Sequence, residues 1–471
     1  MSVDTKHKDY ADIEKRWKTV EDVCAGAYAM KQGRENYLPK PNASDDTLEN
    51  NARYDAYLNR AVFFEVTKDT LQKLIGIAFA EDPAFDPDGM DFLASNADGS
   101  GKSLFQLNQT ALEGLLKKGR GGFFVDYPKT ERSTSLADVE KLGIRPTVIY
   151  YKAENILNWR VKRVGSLYKT SLVVLAEKDT VVDPLNEFNL KEIKVYRVLR
   201  LDENNEYCVQ TYSDRTGNLA ADTDPYYPTQ ANKQRWNEIP FQPLGSFSND
   251  WAMDTIPLES LALMNIAHYH NSAEYENSVF YAGQVQPVMT ELDSEWRDWL
   301  QEKGVRLGSG NVLMLPVGGK FDFVQPDERT LAKSAMEAKE KYMASLGAKL
   351  LEENQVVKTA TQSNNEALSQ YSVLSLCVAN LNEAAENVLR WCAMYFGAGD
   401  KAKFSIKQDF ARGKLSTEDL KFYFEQVLQG KMSMRTFHEL QTTGKVPEVD
   451  FDEEQLRIEQ ENEGKAALPV E

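Results

Sequence analysis

Residues 327–396 read DERTLAKSAMEAKEKYMASLGAKLLEENQVVKTATQSNNEALSQYSVLSLCVANLNEAAENVLRWCAMYF, and they contain two long helical patterns. Apolar residues recur at helical spacing in both halves. They are Leu331, Met336, Met343, Leu346 and Leu350 in the first half, and Ala367, Tyr371, Leu374, Val378, Leu381, Ala385, Val388, Cys392 and Tyr395 in the second. The spacing predicts two long helices. The second, from Asn365 to Phe396, would be roughly 48 Å long at about 1.5 Å per residue.

A polar break, residues 354–364, separates the two helical patterns. Val356 and Val357 are β-branched and disfavour a helix, while Ser363 and Asn364 are residue types that cap a helix N-terminus. The segment therefore predicts a loop between two helices. The same pattern is also typical of an ordinary antiparallel pair of core helices, in which the loop has no function of its own. On this pattern alone, both interpretations stay open.

Composition and charge narrow the class of protein. A length of 471 residues predicts about three domains, and 42% hydrophobic residues suffice for a sizeable core. The net charge of −17 is the opposite of the basic surface by which proteins grip nucleic acid through its phosphates. The sequence therefore argues against a tight nucleic-acid binder.

The chain shows no signal for a membrane or for a metal. No apolar run approaches the length of a membrane span, and the first residues lack the apolar core of a signal peptide, so we expect no membrane partner and a protein made in a cytoplasm. Cys24, Cys208, Cys377 and Cys392 are far apart without a CxxC pair, which predicts buried thiols and neither disulfides nor a zinc site. We expect no cofactor.

The first 213 residues predict helices followed by a sheet. Tyr10–Tyr28 has one apolar helical face, and a second helical pattern runs from Tyr54 to a predicted end near Gly76. From Pro146 to Ser213, short runs of β-branched and aromatic residues are separated by turn signals such as the one at 202–205, which is typical of an antiparallel sheet.

One motif points toward an enzyme. Gly99-Ser100-Gly101-Lys102-Ser103 ends like a phosphate-binding P-loop, but the first glycine of the full pattern is replaced by Asn96. Asp126, at the end of a strand-like run, would be the magnesium ligand of such a site. The competing interpretation is that Ser103 caps the helix that follows. We expect no enzymatic activity and keep a P-loop ATPase as a rival hypothesis.

A small α/β insert separates two long helices in the second half. Pro257 suits the first turn of a helix that ends near Gly283, and a short strand, a helix with Trp296 and Trp299, and further strands follow at 285–289, 293–302, 312–315 and 321–323. His268 and His270 are two residues apart on the first of these helices and therefore face different ways, so they cannot share a metal.

The order of these elements resembles the portal proteins of tailed bacteriophages: a sheet-rich first half, a helix, a small insert, a helix, a polar loop, a long helix and a helical end. Local sequence agrees, and it is also similar to a portal-like phage family known only as a domain of unknown function. The segments that carry the similarity are Arg145-Pro146, Asn158-Trp159-Arg160, 256–262, 265–269, 273–277, 432–440 and 450–454.

The resemblance implies an α+β portal fold with named parts. These are a wing of antiparallel sheet and helices (1–255), a stem helix (256–282), an α/β clip (283–326), a second stem helix (327–353), a tunnel loop (354–364), a long wing helix (365–396), and a crown with an acidic tail (397–471) that we expect to be solvated after Val449. The tunnel loop would line the DNA channel through Asn354, Gln355, Val356, Val357, Lys358 and Thr359. The clip would form an interface through Trp296, Trp299, Phe321 and Phe323.

By the same resemblance, the function would be that of a non-enzymatic ring at one capsid vertex of a virion, assembled in the host cytoplasm. The ring of about twelve subunits would pass double-stranded DNA during packaging and ejection. Its partners would be the terminase large subunit, the major capsid and scaffold proteins, and a neck or tail adaptor. The alternative is another ring-forming adaptor of the head and neck that lacks a tunnel loop.

Overall fold

A computed structural model describes residues 2–128, 143–183, 186–215, 217–284, 286–304, 315–324, 330–351, 372–408, 410, 417–443 and 449–466. The chain divides into two units, residues 1–406 and 407–471. Helices and antiparallel sheets are both present, and the predicted α+β class is confirmed.

Helices and strands within the described residues have the following bounds. The α-helices are α1 (Tyr10–Ala25), α2 (Ala27–Gln32), α3 (Leu48–Arg60), α4 (Val66–Ala78), α5 (Phe92–Ser95), α6 (Leu104–Lys118), α7 (Glu259–Ala282), α8 (Ser294–Lys303), α9 (Thr330–Lys349), α10 (Val373–Phe396), α11 (Thr417–Leu428), α12 (Met434–Thr443) and α13 (Phe451–Ala466). The strands are β1 (Ala84–Asp86), β2 (Arg120–Asp126), β3 (Thr147–Lys152), β4 (Ile156–Val164), β5 (Leu167–Asp183), β6 (Asn186–Leu201), β7 (Tyr207–Ser213), β8 (Ala220–Ala221), β9 (Phe241–Gly245), β10 (Gln286–Thr290), β11 (Lys320–Val324) and β12 (Lys403–Ser405).

Two antiparallel sheets organise the first unit. One has the strand order β3-β2-β9 and the other β4-β5-β6-β7-β8. β2 lies in the middle of its sheet and is almost entirely buried, which agrees with its Phe-Phe-Val sequence. Gly119 ends α6 just before this strand with a φ of 68°, and a Cβ there would lie 2.4 Å from the carbonyl oxygen of Thr255, so the close approach requires glycine. The predicted antiparallel sheet is confirmed from Ile156 to Ser213, whereas the predicted strand at 147–151 is β3 and pairs with β2 in the other sheet.

β5 and β6 extend well beyond the predicted runs. The sequence pattern favours strands at 171–175 and 195–201, whereas the structure pairs Leu172 with Arg200 and continues to Asp183 opposite Asn186. The added part is largely exposed, including its apolar residues Val182, Phe188 and Leu190, so the burial that marks a strand is missing there. Backbone pairing and an ion pair between Lys178 and Glu192 (2.9 Å) join its two strands.

α10 forms the centre of the first unit. Its predicted apolar stripe is confirmed, with Leu374, Val378, Leu381, Val388 and Cys392 all buried. The prediction of one unbroken helix from Asn365 is wrong at its start, because Ser372 is extended and its side chain accepts a hydrogen bond from the Ser375 amide as an N-cap. The helix has 24 residues and is therefore about 36 Å long.

The helix predicted from Tyr54 to near Gly76 is interrupted, and this prediction is wrong. α3 ends at Arg60, Ala61 is extended with a ψ of 133°, and α4 begins at Val66. The buried side chain of Asn265 satisfies the broken backbone. Its Oδ1 accepts hydrogen bonds from the Thr67 amide (3.1 Å) and hydroxyl (2.9 Å), and its Nδ2 donates one to the carbonyl of Phe64 (2.8 Å).

The second unit contains α11, α12 and α13. Residues 451–466 of the predicted acidic tail form α13, a helix whose described side chains are mostly exposed. Glu454 accepts hydrogen bonds from the amide of Ser433 (2.7 Å) and the hydroxyl of Thr436 (2.6 Å), and Glu461 accepts one from the amide of Met434 (2.8 Å). These carboxylates complement the positive N-terminal end of α12, which fixes the acidic segment in place.

The four cysteines are buried free thiols, as predicted. Burial raises the pKa of Cys24 and of Cys377 to about 12. In the described part of the chain, no helix is both long enough and apolar enough to cross a membrane, and no group of three or more His, Cys, Asp or Glu side chains is placed to hold a metal ion.

Candidate functional site

α7 and α9 pack against each other as a pair. Because β10 follows α7, β11 precedes α9, and Gln286 of β10 lies opposite Val324 of β11, the two helices run antiparallel. His268 of α7 is fully buried, and its Nε2 lies 3.1 Å from Glu340 Oε1 of α9. This pair of helices occupies the positions predicted for the two stem helices.

Lys339 joins the same two helices. Its Nζ donates hydrogen bonds to the carbonyl of Ala267 (2.8 Å) and to Oδ1 of Asn271 (2.7 Å). Burial lowers the pKa of Lys339. The ammonium is thus held by neutral oxygens, and it fixes the register of α9 on α7.

α3 fastens the outer face of α7. Tyr57 donates a hydrogen bond to Glu274 (2.9 Å), and Arg60 donates one to Asn277 (2.7 Å) while its guanidinium lies 4.2 Å from the ring centroid of Phe280. His270 lies 2.7 Å from the carbonyl oxygen of Tyr37. His268 and His270 therefore face different elements, as predicted.

The insert between α7 and α9 contains the four aromatic residues that were predicted to form an interface. Asp293 caps α8 by accepting a hydrogen bond from the Trp296 amide, and the rings of Trp296 and Trp299 meet edge to face at 5.3 Å. On β11, the rings of Phe321 and Phe323 meet edge to face at 4.9 Å. The strand predicted at 312–315 falls almost wholly outside the described residues.

Large apolar surface is exposed on this insert. Trp299 is 49% exposed and Phe323 is 59% exposed, and most other described side chains between 286 and 324 are exposed as well. Exposed aromatics that gather on a small element are typical of a surface that contacts another protein.

Leu350 and Leu374, which flank residues 352–371, contact each other. The Leu374 amide donates a hydrogen bond to the Leu350 carbonyl (3.2 Å), and both side chains are buried. This contact brings the two flanks of residues 352–371 together. The predicted channel residues, namely Asn354, Gln355, Val356, Val357, Lys358 and Thr359, lie outside the described residues and remain a prediction.

The P-loop-like segment forms a self-contained turn. Asp98 Oδ1 accepts hydrogen bonds from the amides of Ser100 (2.8 Å) and Lys102 (3.0 Å), and Asn96 Oδ1 accepts one from the amide of Gly101 (2.8 Å). Burial raises the pKa of Asp98, but the hydrogen bonds from Ser100 and Lys102 outweigh it, so the net pKa is lowered. A carboxylate thus occupies the amides that a phosphate would need.

Ser103 caps α6, as the competing interpretation predicts. Its hydroxyl accepts a hydrogen bond from the Gln106 amide while the Gln106 side chain accepts one from the Ser103 amide, each at 3.2 Å, which is a complete capping box. Asp126 is bound in an ion pair with Arg197 at 2.5 Å. Both observations favour structural roles for these residues.

Two substitutions separate the structural role from nucleotide binding. We expect Ser103→Ala to lower the free energy of unfolding by about 1 kcal/mol, because the first turn of α6 loses its cap. Lys102→Ala should change it by less than about 0.5 kcal/mol, since this surface side chain supports no cap. Urea denaturation measures both values. A measurable ATPase activity that Lys102→Ala abolishes would contradict this assignment.

Part of the chain matches a known protein family. The family model described as "Domain of unknown function (DUF4055)" matches residues 257–396. It is a phage-type domain, so the resemblance stated from sequence is supported in part. The match spans α7, the insert, α9 and α10. No curated protein matches the chain.

Chains in two solved structures of neck assemblies show a weak similarity to this chain. The neck of an empty gene transfer agent particle, computed with C6 symmetry, is 12% identical with a TM-score of 0.40 over 83% of this chain and 93% of the other. The neck of the native particle, computed with C12 symmetry, is 12% identical with a TM-score of 0.37 over 86% and 90%. Likeness at this level is too weak to assign a fold or a function.

The sequence did not reveal the residues that join α7 to its neighbours. His268 and Lys339 carry the polar contacts between α7 and α9, and Asn265 joins α7 to Thr67 of α4. A signal for Asn265 exists: it stands on the same helical face as Leu261 and Tyr269, which are both buried. A polar residue within a buried stripe indicates a hydrogen-bonding partner, but its distance in sequence hides which one.

Proposed function

We propose that this protein is a phage portal, a non-enzymatic ring at one capsid vertex through which double-stranded DNA passes. The observation that carries the proposal is the antiparallel pair α7 and α9 joined by an insert with exposed aromatics, in the part of the chain that matches a phage-type domain. In the ring, about twelve copies would repeat the same head-to-tail contact.

In this proposal, each part of the unit has a role. α7 and α9 line up as the stem, and the insert is the clip, whose exposed Trp299 and Phe323 meet neighbouring copies and the terminase or neck proteins. Residues 354–364 form the tunnel loop. The closed base at Leu350 and Leu374 supports this role, because a loop that leaves and rejoins the core at one point can reach inward without disturbing the core.

The charge of the chain fits a channel better than a DNA-binding protein. Phosphate contacts from many basic side chains add up to strong, salt-dependent binding, which would hold DNA in place. The net charge of −17 per chain opposes such binding. A ring of acidic copies would keep the duplex free to slide.

The proposed tunnel loop is tested by its removal. We expect a variant without residues 354–364 to form rings of normal size, because the Leu350–Leu374 contact closes the base, and to fail in packaging or retaining DNA. Electron microscopy checks the rings, and nuclease-protected DNA in particles measures packaging. Normal packaging by intact rings of this variant would favour the alternative hypothesis, a head–neck adaptor that has no tunnel loop.

A further inference from the structure

We propose that the tip of the β5–β6 ribbon of one copy docks on the β4–β5 turn of the neighbouring copy. The ribbon tip comprises residues 182–183 and 186–192, and the basic turn comprises residues 160–169. The proposal rests on the ring assembly proposed above and adds a contact to it, at a distance from the stem and the clip.

The ribbon tip exposes an apolar cluster on one face. Val182 of β5 is directly opposite Leu190 of β6. Phe188 lies two residues before Leu190 on β6, so the three side chains share a face. Phe188 is 88% exposed and Leu190 is 60% exposed. The Phe188 amide donates a hydrogen bond to the Asn186 side chain (3.1 Å), which fixes the turn beneath the cluster.

Among the described residues, no third strand pairs with the outer part of the ribbon. β4 pairs with β5 only up to Leu175, and β7 pairs with β6 only from Val195. Beyond these residues, the described part of the ribbon consists of two strands. A two-stranded ribbon is marginally stable by itself in water, so a ribbon that exposes apolar side chains gains from a partner.

The basic turn also exposes apolar side chains on the same sheet. Val161 and Tyr168 share one face, with Tyr168 75% exposed, and Leu167 is exposed on the other face. Arg163 is the cross-strand partner of Tyr168, and its Nε donates a hydrogen bond to the Gly165 carbonyl (3.0 Å), which leaves the guanidinium at the tip of the turn.

The two clusters carry opposite charges. Residues 160–169 contain Arg160, Lys162, Arg163 and Lys169 and no acidic residue, in a chain whose net charge is −17. Residues 182–192 contain three acidic residues, Asp183, Glu187 and Glu192, against the single base Lys191. Complementary charge around two apolar centres is the arrangement that orients one surface on another.

Geometry identifies the partner as a second copy. The clusters lie at opposite ends of β5, which has 17 residues, so they are roughly 53 Å apart at about 3.3 Å per residue and cannot meet within one chain. A closed ring needs two different complementary surfaces on every copy. A partner of another kind at the ribbon tip would leave the basic turn without a complement.

Charge reversal and its rescue test the contact. At low salt, Glu187→Lys and Arg163→Glu should each raise the protein concentration for half-assembly into rings about tenfold, and the double variant should return within about twofold of the wild type. Mass photometry measures the ring fraction, and thermal melting verifies folding. Folded single variants that assemble like the wild type would overturn the inference.

The apolar cluster has a matched control on the same ribbon. Leu190→Asp should weaken assembly at least as much as Glu187→Lys, whereas Val181→Asp, on the opposite face, should have little effect. Equal effects would contradict a face-specific contact. Benzoylphenylalanine at Phe188 should crosslink to residues 160–169 of another copy. Wild-type rings without this crosslink overturn the inference and leave the portal proposal intact, whereas a wild type that forms no rings fails the portal proposal itself.

Discussion

Replacing Arg197 by Met is expected to lower the free energy of unfolding of the first unit by about 3–5 kcal/mol, the usual cost of leaving buried charges without their partner. The guanidinium pairs with Asp126 (2.5 Å) and with Glu177 (2.7 Å), and all three side chains are largely buried. Tyr151 donates a further hydrogen bond to Glu177. The substitution therefore leaves two carboxylates facing each other without a cation.

The control for this prediction is Arg215→Met. Arg215 pairs with Asp179 at the same distance of 2.5 Å, but both side chains are about half exposed. Exposed pairs contribute about 0–1 kcal/mol, so this variant should unfold almost like the wild type. Urea denaturation followed by circular dichroism compares the two. Similar losses for both variants would contradict the assigned role of burial.

Asn265→Leu is expected to cost about 3–5 kcal/mol, because each buried polar group left without a partner costs about 1–3 kcal/mol. The amide and hydroxyl of Thr67 and the carbonyl of Phe64 all depend on this one side chain. The break between α3 and α4 would lose its hydrogen bonds while α7 keeps its apolar contacts.

Asn271→Leu, on the same helix, is the matched control. Asn271 accepts one hydrogen bond from Lys339, which keeps its bond to the Ala267 carbonyl. We expect a loss of about 1 kcal/mol. Hydrogen exchange should show faster opening at Thr67 in Asn265→Leu and an unchanged rate in Asn271→Leu. Unchanged exchange at Thr67 in both variants would refute the bridging role of Asn265.

Local signals predicted the elements whose causes are local. The stripe from Leu374 to Cys392 predicted the core helix, because burial on one side leaves a helical period in the sequence. Ser103 predicted the start of α6, because the cap that it forms is a local interaction. The insert was likewise predicted, with Trp296 and Phe321 on the elements where the structure places them.

Distant contacts decided what the sequence could not predict. The break after Arg60 depends on Asn265, which lies about two hundred residues further along the chain. The acidic residues of α13 resemble a solvated tail until Glu454 is seen on the amide of Ser433. The outer part of the β5–β6 ribbon is largely exposed, so it leaves no burial pattern in the sequence.

In the candidate site, Trp296 and Trp299 lie on a helix and Phe321 and Phe323 on a strand, as the sequence predicts, whereas the roles of these residues and of α7 and α9 are proposals. The pattern gave the helices but none of the side chains that join them. His268 and Glu340 meet only through the fold, since neither position carries a signal for the other. Residues 354–359 remain a prediction from the resemblance.

Electron microscopy of the purified protein, with mass by light scattering, tests the portal proposal most directly. End-on views should show closed rings of about twelve subunits around a central hole, because the proposal requires every copy to repeat the same head-to-tail contact. A compact monomer or dimer that persists at high protein concentration and in assembly salts would contradict the proposal.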